Sequence, residues 1–82
     1  MGFQPVVYDS EADALYVQLI DAAVTKTHPI DDLRLVDYSE DGGVIGVEFL
    51  EASFGIDLSD VPFSKKIDEL IRSSGLEFPI FA

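Results

Sequence analysis

Two alternating apolar runs separated by a glycine pair constrain this chain more than any other feature. Leu33-Arg34-Leu35-Val36-Asp37-Tyr38 leads into Ser39-Glu40-Asp41-Gly42-Gly43, and Val44-Ile45-Gly46-Val47-Glu48-Phe49-Leu50 leads away. Period-two alternation sends successive side chains to opposite sides of an extended strand, and a Gly-Gly turn lets two such strands fold back on each other. The segment therefore predicts a β-hairpin. The same residues also carry the spacing of a calcium loop. Asp37, Ser39 and Asp41 stand at positions 1, 3 and 5, Gly42 at 6, the Gly43 carbonyl at 7 and Glu48 at 12. Such a loop needs a helix on either side, whereas both flanks here are rich in residues that favour strands. The hairpin is the preferred reading, with Asp37, Asp41 and Glu48 retained as candidate divalent-metal ligands.

Further strands precede the hairpin. Pro5–Tyr8 is a short β-rich run, and Asp9-Ser10-Glu11-Ala12-Asp13 is a turn whose side chains can bond the local backbone. Ala14–Ile20 alternates, with Leu15, Val17 and Leu19 on one face and Tyr16 and Ile20 partly apolar on the other. That pattern suggests a central strand covered in part on both sides. Val24–Ile30 is a third candidate, in which Pro29 argues for a sheet edge or a strand end. Asp31-Asp32 then turns the chain.

The pattern changes after Ala52. Phe63, Ile67, Leu70 and Ile71 recur at helical spacing, Ser59 and Asp60 are placed as caps, and Gly75 is a natural stop. The chain reads as one α+β domain over residues 1–82. An antiparallel β-meander of four to five strands occupies residues 5–53; an amphipathic helix laid on one face and an apolar tail fill residues 54–82. Leu76–Phe81 is too apolar to dangle in water. It packs on the domain or joins two copies in a homodimer.

Composition narrows the function classes. Sixteen acids against five bases leave a net charge of −11. That field repels nucleic-acid phosphate and anionic lipid and attracts basic partners or cations. There is no cysteine, so disulfides and thiolate metal sites are excluded and an intracellular home is favoured. Met1–Pro5 lacks the features of a signal peptide, and no apolar run approaches the ~20 residues that span a bilayer. The expectation is a cytoplasmic protein that binds neither membrane nor nucleic acid. His28 is the sole histidine, no nucleophile elbow is visible, and Gly42, Gly43 and Gly46 precede no helix that could cradle phosphate. No enzyme activity and no cofactor are expected.

A meander sends its first, third and fifth connections to one end of the sheet. That would gather Asp9, Glu11, Asp13, Asp31 and Asp32, with Glu51, at one acidic pole able to dock a basic protein. These five aspartates and glutamates before the hairpin are the candidate partner-binding residues. The alternative is a divalent-metal, calcium-like site built from the hairpin or loop carboxylates.

Three segments together carry a resemblance: Tyr8–Leu19, Val36–Gly42 and Val44–Ser53. In this order and spacing the chain resembles the prokaryotic family called domain of unknown function 2283, over roughly residues 6 to 53. Ser10 stands where that family often has Pro, and Ser39 where it often has Asp. The resemblance implies a compact bacterial or archaeal domain with no assigned catalytic residue. Some members look like neighbours of small toxins, which implies an antitoxin-like role: a non-enzymatic interaction module that binds a basic, toxin-like protein.

Overall fold

The computed structural model describes residues 5–81, so the reading of Met1–Gln4 as free of a targeting signal lies outside it. Five strands form one antiparallel sheet: β1 (Val6–Asp9), β2 (Ala14–Gln18), β3 (Lys26–Asp31), β4 (Arg34–Tyr38) and β5 (Val44–Leu50). A single 3₁₀ turn (Ala52–Phe54) follows, then β6 (Ile56–Asp57), helix α1 (Ser64–Ser73) and β7 (Ile80–Phe81). The α+β class, the antiparallel sheet and the C-terminal helix are as the sequence predicts.

The strand order is β1-β2-β5-β4-β3. Strands β3, β4 and β5 form a meander, and the β1–β2 hairpin attaches through β2 to β5. The chain therefore crosses from β2 to the far edge before it turns back, and β5, not β2, is the central strand. Every pairing in this sheet is antiparallel, so connection ends still alternate.

The registers define two rows of core-facing side chains. Val6, Val17, Val47, Val36 and His28 form one row across all five strands; Tyr8, Leu15, Phe49 and Arg34 form the next. Ile67 and Ile71 of α1, with Ala52, Ile56, Leu58 and Val61, close over these rows in one buried cluster. His28 ends its row on the edge strand and is exposed, beyond the area that the helix covers.

The helix begins later than expected and without a side-chain cap. Its N-cap is Phe63, held at φ 56° and 64% exposed, so Phe63 leaves the buried stripe it was expected to join. Ser59 and Asp60 lie upstream of the helix. The Ser59 amide and hydroxyl donate to Asp57 Oδ1 (2.9 and 2.7 Å), forming a local turn instead of a cap.

Arg34 ties this C-terminal part to the sheet. It is 7% exposed, its Nη2 donates to Asp31 Oδ2 (2.8 Å), and its Nη1 donates to the carbonyls of Asp57 (3.0 Å) and Ser59. Burial is affordable for a guanidinium because each desolvated edge finds an oxygen. The tail packs on its own chain. β7 pairs in parallel with β6, Phe78 meets Tyr8 edge-on at 5.0 Å, and Leu76, Phe78 and Ile80 line the core. No helix among the described residues is long and apolar enough to cross a membrane.

Candidate functional site

The acidic pole forms, but half of its residues hold the fold. All three of its connections lie at one end of the sheet, with the β1–β2 turn and the β3–β4 turn on opposite sides of β5. Asp9 Oδ1 accepts the amides of Glu11 (3.0 Å) and Ala12 (3.3 Å). Asp13, at φ 52°, accepts the Tyr8 hydroxyl (2.7 Å) and the Ser53 amide (2.9 Å) on Oδ1 and the Ser53 hydroxyl (2.6 Å) on Oδ2. Its carbonyl also accepts the Ala52 amide (2.9 Å), so Asp13 fastens the first turn to the segment after β5. Asp31 caps Leu33 (2.9 Å) and pairs with Arg34. Glu11, Asp32 and Glu51 are exposed and make no side-chain hydrogen bond or ion pair among the described residues, so they remain open to a partner.

These bonds set an acid response. Hydroxyl and amide donors of Ser53, with the Tyr8 hydroxyl, hold Asp13 below the usual carboxylate range; Arg34 does so for Asp31, Ser39 for Asp41 and Ser59 for Asp57. Each depressed group favours folding above the unfolded value near 3.9 and loses that contribution as pH falls through its lower folded value. Net charge meanwhile approaches zero near the isoelectric point of 4.1, which relieves self-repulsion. The melting temperature is therefore expected to hold or rise from pH 7 to about 4.5 and then drop below about pH 4. Asp13→Asn should make that drop shallower and lower the urea midpoint at pH 7.

The calcium geometry does not form. Asp41 Oδ1 accepts the Ser39 hydroxyl and the Gly43 amide (3.2 Å), which makes it a turn residue. Asp37 lies in β4 opposite Gly46, and Glu48 lies in β5 opposite Leu35. Among the described residues no group of three or more His, Asp or Glu is placed to hold a metal ion.

What Asp37 and Glu48 do share is the side of the sheet that α1 leaves uncovered. One row there crosses all five strands: Val7, Tyr16, Glu48, Leu35 and Pro29. The next contains Gln18, Gly46, Asp37 and Thr27, and the row toward the acidic pole contains Asp9, Ala14 and Leu50. Asp37 is held rigidly, with Tyr16 donating to Oδ2 (2.9 Å) and Thr27 to Oδ1 (2.5 Å). Burial, the bond to Asp37 and the charges of Asp37 and Glu48 push the Tyr16 phenol well above its usual range. Tyr16 reaches Asp37 across Gly46, where an added Cβ would lie 2.5 Å from its hydroxyl.

Glu48 thus sits at the middle of the central strand, ringed by half-buried or exposed apolar side chains. The five basic residues are elsewhere. Lys26 and Arg34 alternate onto the core side, and Lys65, Lys66 and Arg72 are on α1. Sequence reasoning listed Asp37 and Glu48 for a metal and noted a partly apolar second face on the Ala14–Ile20 strand alone, without joining the two. The signal of the whole face was present in the alternation: Tyr16, Leu35, Glu48 and Leu50 all fall in the phase opposite the core.

The family described as protein of unknown function, DUF2283, matches residues 6–53, more than half of the chain. The chain is a DUF2283 protein. The matched span runs from the first core valine of β1 to the serine that Asp13 holds, so the Tyr8–Asp13–Ser53 clamp lies within the DUF2283 region. An uncharacterised protein of Methanocaldococcus jannaschii, MJ0789, is 43% identical over 56 residues, covering 66% of this chain and 47% of the relative. The chain thus spans about half the length of that relative. No solved structure matches the chain.

Proposed function

We propose that this domain is a non-enzymatic interaction module that binds a basic protein. The observation that carries the reading is the helix-free face, where Tyr16 and Leu35 flank Glu48, Asp37 stands diagonal to it, and the charges in the three rows, Asp9, Asp37 and Glu48, are all negative. A sheet face that presents Val7 (49% exposed), Leu35 and Leu50 to water gains free energy when a second layer covers it. The charge of −11 speeds encounter with a positive partner. Glu11, Asp32 and Glu51 extend the same potential around the acidic pole. An antitoxin-like role, in which that partner is a small basic toxin, is the specific form of this reading that the family resemblance suggests.

A homodimer through the tail is the second proposal. It would rest on Phe54 (80% exposed), Phe63 and Phe81 (54%), since Leu76, Phe78 and Ile80 are spent on the chain's own core. Capture from the source cells with wild-type protein and with a Leu35→Glu, Leu50→Glu variant tests the main reading. Recovery of one basic protein by the wild type, absent with the variant and released by salt, is expected. If both baits return the same proteins, the reading falls.

A further inference from the structure

We propose that the helix-free face is a docking site for one amphipathic helix of a basic protein, with a lysine or arginine of that helix set against Glu48 and Asp37. The proposal rests on the interaction reading above and adds the shape and chemistry of what binds. Five strands spaced ~4.8 Å apart give a face ~20 Å wide, and a helix with its side chains is ~10–12 Å across, so one helix lies along it with apolar contacts on both sides. The row Val7–Tyr16–Glu48–Leu35–Pro29 supplies them: apolar side chains on either flank and a carboxylate in the centre.

Charge selects the occupant. Burying Glu48 under an apolar layer would strand a carboxylate without a partner, which costs several kilocalories per mole unless a cation meets it. Glu48 makes no hydrogen bond or ion pair with another side chain among the described residues, so the cation must come from the partner. Asp37 stands diagonal to it, one pair along the ladder, with Tyr16 and Thr27 fixing its orientation. An ammonium or guanidinium between the two carboxylates has donors for both. A second copy of this chain is a poor occupant, because it would set Glu48 and Asp37 against their own images on two molecules of charge −11. Strand addition at the β3 edge is opposed by Pro29 and by the register shift between Pro29 and Asp31.

The test titrates the full chain with a synthetic leucine–lysine peptide of about 14 residues patterned for an amphipathic helix, ~21 Å long, beside a scrambled peptide of the same composition. Binding of the helical peptide is expected, with the scrambled one at least about tenfold weaker. Glu48→Gln and Leu35→Ala are each expected to weaken it about tenfold, and Lys66→Ala on the far side to leave it within about twofold. Circular dichroism of each variant checks that it is folded. Equal binding of both peptides overturns the helix site while the basic-partner reading stands. Loss of binding on Glu11→Lys plus Asp32→Lys but not on Glu48→Gln also moves the site to the pole and overturns the proposal. No binding of either peptide overturns both readings.

Discussion

Replacing Arg34 with Met is expected to cost about 2–4 kcal/mol, the largest effect of any single polar substitution in the chain. The side chain is almost wholly buried, yet all its strong partners are oxygens: Asp31 on its own hairpin, and the carbonyls of Asp57 and Ser59 beyond the sheet. Met fills similar volume, so cavity formation is not the main penalty. The penalty is two carbonyls left without a donor and a loop released from β4. A domain of this length has roughly 4–12 kcal/mol in total, so the variant is expected to approach the limit of folding at 37 °C. Urea unfolding measures it directly. A midpoint within experimental error of wild type would show that the β6–β7 pairing and the apolar contacts of Ile56 and Leu58 hold residues 56–59 without Arg34.

Gly46→Ala is expected to cost about 1–3 kcal/mol and to change the helix-free face at the same time. The new Cβ would lie 2.5 Å from the Tyr16 hydroxyl and 2.6 Å from the Val17 carbonyl oxygen. Tyr16 can swing away, but the carbonyl belongs to the neighbouring strand and cannot move without loosening the β2–β5 ladder. With Tyr16 displaced, its bond to Asp37 breaks and the phenol becomes more exposed. Its titration should therefore fall back toward the ordinary tyrosine range, which ultraviolet absorbance follows with the other tyrosines as an internal comparison. Unchanged titration together with unchanged stability would contradict the close packing of these two residues.

Alternation made the strands legible from sequence, because each side of this sheet has its own fate. Leu15, Val17, Val36, Val47 and Phe49 keep a strict phase, and all five are buried. The strand order was not legible. Consecutive strands usually pair, but the connection from β2 to β3 spans residues 19–25, long enough to reach either edge. Central placement therefore passed from β2 to β5. Helix capping misled for a similar reason: Ser59 and Asp60 look like caps locally, but the Ser59 hydroxyl is committed to Asp57, and the helix starts at Ser64 with Phe63 as its N-cap at φ 56°.

At the site, the acidic pole was legible as a place but not as a set of roles. Asp13 is separated from Ser53 by forty positions, and only the fold brings them to 2.6 Å. Arg34 had a visible mark, a lone charge in the core phase of an apolar strand. Glu48 had the opposite mark, a charge in the solvent phase of the middle strand, and its calcium-like spacing drew attention away from its neighbours across the sheet.

The central claim is that the helix-free face, not the helix or the hairpin tip, receives a basic partner. Amide shift mapping of isotope-labelled protein during titration with the leucine–lysine helix tests it most directly. The account predicts that the largest shifts fall on Val7, Tyr16, Leu35, Asp37, Gly46 and Glu48, with Lys65–Arg72 unaffected. Shifts concentrated on α1 or on residues 39–43, with that face silent, would contradict it.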